Sequence, residues 1–222
     1  MKKVALGLYG AGGYGREVAA LIPTIYSELF PNIAASNFLL VFIDDYKKGQ
    51  EIDDLRVISK SEFLNLNDLD LYYCVTISDC KTRKYIVEGM TGNRSKPLSL
   101  IFKDTLVLSP ASIGVGTILM PGSKISKSVK IGNHVQINFN SYIAHDCIIN
   151  DFVTISPSVT CCGNTFIGES AFIGAACVIK QGTKSTPRLI GSESVLGIGS
   201  NLICDLPKNE IYIGNPARTI ED

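Results

Sequence analysis

Two histidines and one neighbouring carboxylate are the side chains of this sequence best suited to proton transfer. The histidines are His134 and His145, and Asp146 follows His145 directly. An imidazole can accept a proton near neutral pH, and an adjacent carboxylate can fix its tautomer and stabilise the imidazolium. We therefore predict that His145 is a general base and that Asp146 orients it. A histidine without a chemical role is the alternative, and for His134 this alternative is favoured.

A glycine-rich turn near the start of the chain is the second candidate site. Residues 10–15 read Gly-Ala-Gly-Gly-Tyr-Gly and lie between a predicted strand and a predicted helix. Backbone N–H groups at such a helix N-terminus can approach the phosphates of a nucleotide. A purely structural turn and an NAD(P) site are the alternatives, although a dehydrogenase requires about twice as much sheet. The residues predicted to bind this ligand are Gly10, Gly12, Gly13, Tyr14 and Gly15.

Two carboxylates, Asp44 and Asp45, follow the second predicted strand and are expected to face the same crevice as the glycine-rich turn. They could accept hydrogen bonds from sugar hydroxyls or from an amine. A solvated turn without a ligand is an equally supported interpretation.

The seven cysteines form no C-x-x-C pair, and no histidine lies at metal-ligand spacing from them. The sequence therefore supports neither a zinc site nor a disulfide framework, and we predict no metal. Cys147, Cys161 and Cys177 fall on inward positions of the repeat described next. We expect them to be free, buried thiols in a reducing compartment.

A six-residue repeat in the second half of the chain predicts the element that positions His145. Every sixth residue from Val107 to Ile179 is aliphatic except Cys161, and four residues after each of these positions comes a small or β-branched residue. Neither a helical period of 3.6 nor a strand period of 2 produces this pattern. If three hexads close a coil of eighteen residues, both positions point inward and stack into ladders. Residues 106–222 are therefore predicted to form a β-solenoid.

Outward positions and one break in the frame carry further predictions. His134 and His145 both fall on outward positions, which would leave both free for chemistry. The spacing from Ile179 to Ile190 is eleven residues, so five residues are inserted around Thr186-Pro187-Arg188 and should form a loop at one corner. Glycines that follow the aliphatic position are expected to adopt positive φ in turns. These glycines are Gly114, Gly132, Gly168 and Gly174.

Residues 1 to about 105 lack the repeat and alternate apolar runs with helical stretches. The order strand, helix, strand predicts a parallel sheet with right-handed crossovers, and hence a small α/β domain of the Rossmann type. The predicted strands are Val4–Tyr9, Phe38–Ile43, Leu71–Ile77 and Ser99–Ile101, and the predicted helices are Tyr14–Phe30 and Thr82–Met90.

The composition argues against several classes of partner. The 21 basic and 21 acidic residues balance, so no basic field favours nucleic acid or an anionic membrane surface. The apolar run from Val4 to Leu8 is interrupted from Gly10 onward, which favours a strand over a signal peptide. No stretch approaches the ~20 apolar residues of a membrane helix. We expect a cytoplasmic protein with a small-molecule partner.

The glycine-rich turn, the Asp44-Asp45 pair and the hexapeptide repeat together resemble the sugar acetyltransferases of the PglD/NeuD type. The resemblance covers essentially the whole chain, and Gly214-Asn215-Pro216-Ala217-Arg218 looks like the family's terminal signature. It implies a left-handed β-helix, an exception to the usual crossover handedness. It also implies a homotrimer with acetyl-CoA between neighbouring helices, and a nucleotide-linked aminosugar held partly by the N-terminal domain.

The same resemblance implies residue roles. Residues 138–147 are similar to the family's catalytic stretch, in which a histidine followed by Glu or Asp forms the base and its orienter. The implied cofactor-binding residues are Asn138 at the acetyl end, Gly163 on the pantetheine arm, and Thr154, Ala175 and Gly197. Thr154 and Tyr14 each replace a histidine that is frequent in the family. Since Gly163 lies one coil beyond His145, its missing side chain is expected to leave a channel beside the base.

The implied activity is transfer of acetyl from acetyl-CoA to the amino group of an amino-dideoxy sugar on UDP, dTDP or GDP. An O-acetyltransferase of sialic acid or another sugar, and a non-catalytic nucleotide-sugar-binding protein, are the alternatives. The outward His145-Asp146 pair argues against the last of these. A carbonic anhydrase on the hexapeptide fold needs three metal-bound histidines, more than this chain has.

The outward apolar residues of the repeat also predict a trimer, because in a monomer these strips would be exposed to water. Examples are Phe139, Phe152 and Phe172.

Overall fold

The computed structural model describes residues 3–219, which divide into two compact units. Of the described residues, 3–78 and 82–99 form the first unit, and 79–81 and 100–219 form the second. Within this range no helix combines the length and the apolar character that a membrane span requires.

The first unit is built on a six-stranded sheet. The elements in chain order are β1 (Val4–Tyr9), α1 (Gly13–Leu29), a 3₁₀ turn (Ala35–Asn37), β2 (Phe38–Ile43), β3 (Glu51–Ile52), β4 (Leu55–Ile58), α2 (Lys60–Leu64), β5 (Asp70–Val75), α3 (Cys80–Met90) and β6 (Lys96–Pro97). The strand order in the sheet is β3-β4-β2-β1-β5-β6. β1 lies at the centre and pairs in parallel with β2 and β5, because its run of apolar residues can be buried on both faces.

The predictions for this unit are correct at its centre and incomplete toward one edge. β1 and β2 have the predicted bounds, whereas β5 ends before the predicted Ile77 and α3 begins before the predicted Thr82. The sequence did not predict β3, β4 and α2. α2 begins with a capping box, in which the Ser59 side chain accepts from Glu62 N and Ser59 N donates to the Glu62 carboxylate at 2.7 Å. This short helix depends on its cap rather than on an apolar pattern, which is why the periodicity missed it.

The second unit is a left-handed parallel β-helix with three faces, each a sheet of short strands that are parallel except for the last strand of the first face. The first face contains Leu100–Ile101, Ile118–Leu119, Gln136–Ile137, Thr154–Ile155, Phe172–Ile173, Val195–Leu196, Ile211–Gly214 and the antiparallel Ala217–Thr219. The second face contains Leu106–Val107, Lys124–Ile125, Tyr142–Ile143, Thr160–Cys161, Val178–Ile179 and Asn201–Leu202. The third face contains Ser112–Ile113, Lys130–Ile131, Ile148–Ile149, Thr165–Ile167 and Arg188–Ile190.

The inward ladders follow the predicted repeat. Pairing joins residues eighteen apart, as in Gln136 with Thr154, until the insertion, where Phe166 pairs with Leu189 instead. The aliphatic positions from Leu119 to Leu202 and the small positions from Thr117 to Cys177 are almost completely buried. Each buried aliphatic side chain contributes roughly 1.5–3 kcal/mol of transfer free energy, so the ladders are the main source of stability in this unit.

The first strand of the β-helix corrects one prediction. Leu100–Ile101 pairs with Ile118–Leu119 on the first face, so the strand predicted at Ser99–Ile101 belongs to the β-helix and not to the first unit. The last strand of the first unit is instead β6, which pairs with β5. A short strand that ends one sheet and a strand that opens the next look alike in sequence, and only the pairing partner separates them.

The predicted role of the corner glycines is wrong. If the inward aliphatic residue is counted as the first position of each hexad, positive φ occurs at the fourth position. It does not occur at the second position, which Gly132 and Gly174 occupy. A Cβ on Gly132 would lie 2.7 Å from Asp151 N, and one on Gly174 would lie 2.6 Å from Ile198 N. These glycines are therefore needed for close approach to the backbone of the next coil. The residues with positive φ at the fourth position include Ser128, His134, Asn140, Asp146, Phe152, Ser158, Asn164, Ser170, Ala176 and Glu193.

Candidate functional site

The β-helix has three corners: the first lies between the first and second faces, the second between the second and third faces, and the third between the third and first faces. His145 and Asp146 lie at the second corner. The His145 and Asp146 side chains are 58% and 55% exposed, and His145 Nδ1 lies 2.8 Å from Asp146 Oδ2. Asp146 has a φ of 59°, a left-handed conformation that Asp tolerates better than most residues. The predicted pair is therefore formed and open to a ligand.

The hydrogen bond between the two side chains decides which imidazole nitrogen can act as a base. An ionised carboxylate is only an acceptor, so Nδ1 of His145 must carry the proton and donate it to Asp146. In the neutral imidazole Nε2 is then an acceptor. The arrangement can take a proton at Nε2 while Asp146 stabilises the resulting imidazolium.

Gly163 lies directly beside the His145 ring, as its position one coil further on predicts. A Cβ on Gly163 would be 2.7 Å from both Nε2 and Cε1 of His145. The predicted empty channel is therefore wrong in one respect, because the imidazole itself occupies the space that the missing side chain leaves. The absence of a side chain at Gly163 therefore makes room for the His145 imidazole over the next coil.

His134 is not available for chemistry. Its side chain is only 5% exposed, and its ring stacks on Phe152 with the ring centres 5.4 Å apart and the planes 7° from parallel. A Cβ on Gly116 would overlap the imidazole, so the ring fills the space above a glycine one coil earlier. The expectation that His134 is free at an outward position is therefore wrong. His134 packs at the third corner.

The cofactor-binding residues implied by the resemblance lie at two different corners. Gly163 is at the second corner with His145, whereas Asn138, Ala175 and Gly197 follow strands of the first face and lie at the first corner. Thr154 lies on the first face itself and is 4% exposed. One chain alone therefore does not bring Asn138, Thr154, Ala175 and Gly197 together with His145.

A pocket of about 510 Å³ opens beside Asp146 on the third face. It is lined by Ile148, Phe166 and Leu189 of the third face and by Lys184 and Pro187 of the inserted loop. The insertion thus leaves the β-helix at the same corner as His145, two coils further on. The break in the repeat predicts a loop at a corner but does not by itself connect that corner with His145. Counting two full coils from Ile143 to Ile179 would have done so.

The glycines of the glycine-rich turn in the first unit have two different surroundings: two are closely packed against neighbouring atoms and two face open space. A Cβ on Gly15 would overlap Gly10 O, and one on Gly10, whose φ is 114°, would lie 2.7 Å from Ile77 Cγ1. A Cβ on Gly12 or Gly13 would meet no atom within 4 Å. Gly10 and Gly15 therefore hold the turn against the sheet and α1, while Gly12 and Gly13 leave their backbone open to a ligand.

The two carboxylates after β2 border this turn and hold local structure. Asp44 Oδ2 accepts from Ala11 N at 3.3 Å, and Asp44 Oδ1 accepts from Tyr46 N at 3.1 Å. Asp45 accepts from the Tyr9 hydroxyl and from Lys60 N, each at 3.0 Å. Partial burial and the hydrogen bond to Asp45 raise the pKa of Tyr9. Both aspartates are therefore anchored beside the turn.

Tyr14 is half-buried in the glycine-rich turn. Its hydroxyl is buried and makes no hydrogen bond among the described residues, and this burial raises its pKa. Tyr14, predicted as one of the residues that bind the acceptor, therefore does not present its hydroxyl to solvent.

The cysteines are free thiols throughout residues 3–219, and Cys147, Cys161 and Cys177 lie inward as predicted. Cys147 Sγ and Cys161 Sγ are 4.0 Å apart. The hydrogen bond with Cys147, together with burial, raises the pKa of Cys161. In the described part of the chain, no three His, Cys, Asp or Glu side chains form a group that could hold a metal ion.

Comparison with known proteins matches both halves of the chain to protein families. Residues 5–90 match the PglD N-terminal domain, and residues 128–163 match the bacterial transferase hexapeptide (six repeats). The structure of WeeI from Acinetobacter baumannii AYE is 32% identical with a TM-score of 0.91, over 98% of this chain and 100% of that one. The acetyltransferase domain of PglB from Neisseria gonorrhoeae FA1090, in complex with acetyl coenzyme A, is 28% identical with a TM-score of 0.82 over 98% and 100% of the two chains.

A curated relative extends the match to an activity. GDP-perosamine N-acetyltransferase from Escherichia coli O157:H7 is 34% identical over 215 residues, which is 97% of this chain and 96% of the relative. The match therefore covers almost all of both units of this chain. This chain therefore belongs to the PglD-type, acetyl-CoA-dependent sugar N-acetyltransferases of the hexapeptide-repeat superfamily.

Proposed function

We propose that this protein transfers the acetyl group of acetyl-CoA to the amino group of a nucleotide-linked amino-dideoxy sugar. The observation that carries the proposal is the His145–Asp146 hydrogen bond of 2.8 Å at an exposed corner, with Nε2 as the free acceptor. The relative named GDP-perosamine N-acetyltransferase supports a nucleotide-linked aminosugar as the acceptor.

The reaction requires one base. The amine nitrogen attacks the thioester carbonyl, a C–N bond forms, and His145 Nε2 takes the proton that the nitrogen loses. The tetrahedral intermediate then collapses, the C–S bond breaks, and the CoA sulfur leaves with that proton as a thiol. Asp146 keeps the imidazole in the tautomer that can accept the proton and stabilises the charged imidazolium between the two steps.

The acceptor's diphosphate is proposed to bind at the glycine-rich turn. The open backbone of Gly12 and Gly13 at the start of α1 supports this assignment, since helix N-termini attract phosphate. Asp44 and Asp45 border the turn and retain acceptor capacity for sugar hydroxyls. The buried Tyr14 hydroxyl takes no part in this proposal.

The acetyl-CoA site is proposed to form between two copies of the chain in a homotrimer. This proposal is supported by the positions of the predicted donor-binding residues relative to the base. Asn138, Ala175 and Gly197 lie at the first corner of the β-helix, whereas His145 lies at the second. A neighbouring copy that presents its first corner to this second corner would complete the site. Exposed apolar side chains also support burial against a second copy, including Tyr142 at 38%, Val178 at 43% and Leu189 at 45%.

We further propose that the reaction takes place in the cytoplasm. The cysteines of residues 3–219 are free, which fits a reducing compartment. Acetyl-CoA, the proposed donor, is also an intracellular metabolite.

A thiol-release assay with acetyl-CoA tests the proposal against its alternatives. The panel contains UDP-, dTDP- and GDP-linked 4-amino-4,6-dideoxy sugars, the matching 4-hydroxy sugars and sialic acid. We expect release with an amino sugar, and a loss of roughly 10²- to 10⁴-fold in kcat for His145→Ala and nearly the same for His145→Asn. Release only with hydroxy sugars would favour the O-acetyltransferase, and release with none would favour a binding protein. If His145→Ala kept more than about a third of the kcat, the base would lie elsewhere.

A further inference from the structure

Two inward thiols lie side by side beneath the corner that carries the base. Cys147 and Cys161 are completely buried, and their Sγ atoms are 4.0 Å apart. Cys161 ends the second-face strand Thr160–Cys161, and Cys147 directly precedes the third-face strand Ile148–Ile149. The two thiols therefore approach each other from the two sides of the second corner, on neighbouring coils of the β-helix.

The backbone carbonyl of Cys162 holds both thiols in this position. It accepts hydrogen bonds from Cys147 Sγ at 3.4 Å and from Cys161 Sγ at 3.8 Å. It also accepts a hydrogen bond from Thr165 Oγ1 at 2.8 Å. Because three donors converge on one oxygen, the thiols face a common point of the core. A bond between them requires a local approach of the two sides of the corner.

The two thiols differ in acidity. The hydrogen bond with Cys161 lowers the pKa of the Cys147 thiol, and the charge of a protonated His145 acts in the same direction. The hydrogen bond with Cys147, together with burial, raises the pKa of Cys161. The thiolate is the reactive form of cysteine, so Cys147 is the nucleophile of the pair and Cys161 is the resolving thiol.

The pair is connected to the base through the two coils that meet at this corner. Cys147 is two residues after His145, and Cys161 is two residues before Gly163. A Cβ on Gly163 would lie 2.7 Å from His145 Nε2, so the imidazole already fills the space over that coil. Any approach of the two coils behind the corner therefore displaces the imidazole.

The cover over the thiols is thin at this corner. Gly163 carries no side chain, Cys162 is half-buried, and the His145 side chain is 58% exposed. Exposed backbone opens locally at a lower free energy than the core of a domain. Hydrogen peroxide is close to water in size, so a local opening of this corner is sufficient for it to reach Cys147.

We propose that hydrogen peroxide joins Cys147 and Cys161 in a disulfide, which displaces His145 and reversibly inactivates the protein. The Cys147 sulfur attacks one oxygen of the peroxide, so an S–O bond forms, the O–O bond breaks, and the hydroxide that leaves takes up the thiol proton as water. The Cys161 sulfur then attacks the sulfenic acid, the S–S bond forms, and the S–O bond breaks with release of a second water. Two thiols are oxidised by two electrons, and one peroxide is reduced to two waters.

The disulfide itself is tested on the full-length protein without reference to activity. The protein is treated with hydrogen peroxide, its remaining thiols are alkylated, and its peptides are analysed by mass spectrometry with and without dithiothreitol. We expect one reducible cross-link, between the peptides of Cys147 and Cys161. An unmodified pair, a cross-link through Cys162 or Cys204, or sulfinic acid without a cross-link would each overturn the inference.

The effect on the base rests on the proposed function and is tested by kcat, measured by chromatography of the acetylated sugar. We expect peroxide to lower the kcat of the wild type about tenfold or more, because the base is misplaced, and dithiothreitol to restore it. Cys147→Val and Cys161→Val introduce a residue that the repeat already uses at inward positions, as at Val135. Both variants should keep the wild-type kcat before and after treatment.

Cys177→Val is the matched control. Cys177 is also a buried thiol at the small position of the repeat, but it lies at the first corner, where its Sγ donates to Gly197 O at 3.0 Å. We expect peroxide to inactivate this variant as it inactivates the wild type. Equal inactivation of Cys147→Val, or a mapped disulfide without a loss of kcat, would contradict the inference. A reduced wild type that acetylates no acceptor would contradict the proposed function, and the mapped cross-link would then still decide whether the disulfide forms.

Discussion

At the scale of single residues, contacts from two sides fix the imidazole of His145, the proposed base. His145 is fixed on one side by Asp146 at 2.8 Å and rests on the other side over Gly163. Adjacency in sequence accounts for the first contact and stacking of coils for the second. Two substitutions separate these contributions.

Asp146→Asn tests the orienting hydrogen bond. Asparagine tolerates the positive φ of 59° at this corner about as well as aspartate, so the backbone should be undisturbed. The amide cannot stabilise the imidazolium as a carboxylate does. We expect kcat to fall to a value between wild type and His145→Ala, with an unchanged melting temperature. Steady-state kinetics and thermal unfolding check this, and a kcat equal to that of wild type would remove Asp146 from the mechanism.

Gly163→Ala tests the space beneath the imidazole. The added methyl would lie 2.7 Å from His145 Nε2, so the ring must rotate away and lose its position relative to the substrate. We expect a loss of roughly tenfold to a hundredfold in kcat with the fold intact, since small misplacements of a reacting group have effects of this size. Cys162→Ala, at the preceding position, removes atoms instead of adding one and should be nearly neutral. Full activity of Gly163→Ala would show that the ring position is not critical.

At the scale of elements, the glycine-rich turn must both pack closely against α1 and leave space for the proposed phosphate, and different glycines meet these two requirements. Gly15 allows α1 to pack against the turn, because a side chain there would overlap Gly10 O. A Cβ on Gly12 would meet no atom within 4 Å, so this position leaves room for the proposed phosphate. Composition alone does not distinguish them, since all four glycines of the turn look equivalent in sequence.

Gly12→Val and Gly15→Ala should therefore fail in different ways. We expect Gly12→Val to keep the melting temperature and the KM for acetyl-CoA, and to raise the acceptor KM by about tenfold or more, because the side chain blocks backbone N–H groups from the phosphate. Gly15→Ala should lower the melting temperature, since overpacking costs about 1–3 kcal/mol. Measured KM values and unfolding curves distinguish the two. An equal loss of donor and acceptor affinity in Gly12→Val would contradict the assignment.

At the scale of the whole molecule, the β-helix places the proposed donor-binding residues at two corners of one chain. Asn138 and His145 are seven positions apart in sequence but belong to different corners. A homotrimer resolves this separation if neighbouring chains present different corners to one another. Sedimentation should then give a mass near three times 24.0 kDa, and a stable species of 24.0 kDa would exclude the arrangement.

Mixed assemblies test the shared site directly. Asn138→Ala and His145→Ala should each be poorly active alone. When the two variants are refolded or expressed together, about a quarter of the sites should combine an intact His145 from one chain with an intact Asn138 from its neighbour. Activity should rise well above either variant alone. If mixing restored nothing while mixed trimers were demonstrably formed, both residues would have to act within one chain or in different sites.

Much of the architecture was predictable because it depends on local repetition. The hexad pattern from Val107 to Ile179 specifies which residues face inward, and each coil repeats the same steric solution. The centre of the first sheet was predictable for a similar reason, since long apolar runs such as Val4–Tyr9 can only be buried. The adjacency of His145 and Asp146 is itself a property of the sequence.

The tertiary structure alone decided the properties that depend on residues distant in the chain. His134 and His145 occupy similar outward positions, yet stacking on Phe152 buries the first and leaves the second open. Positive φ belongs to the fourth hexad position because that residue turns the corner, whatever its type. The inserted loop becomes part of the pocket beside Asp146 only because two coils return the chain to the same corner. Periodicity determines which way a side chain faces, whereas the neighbouring coil determines what it meets there.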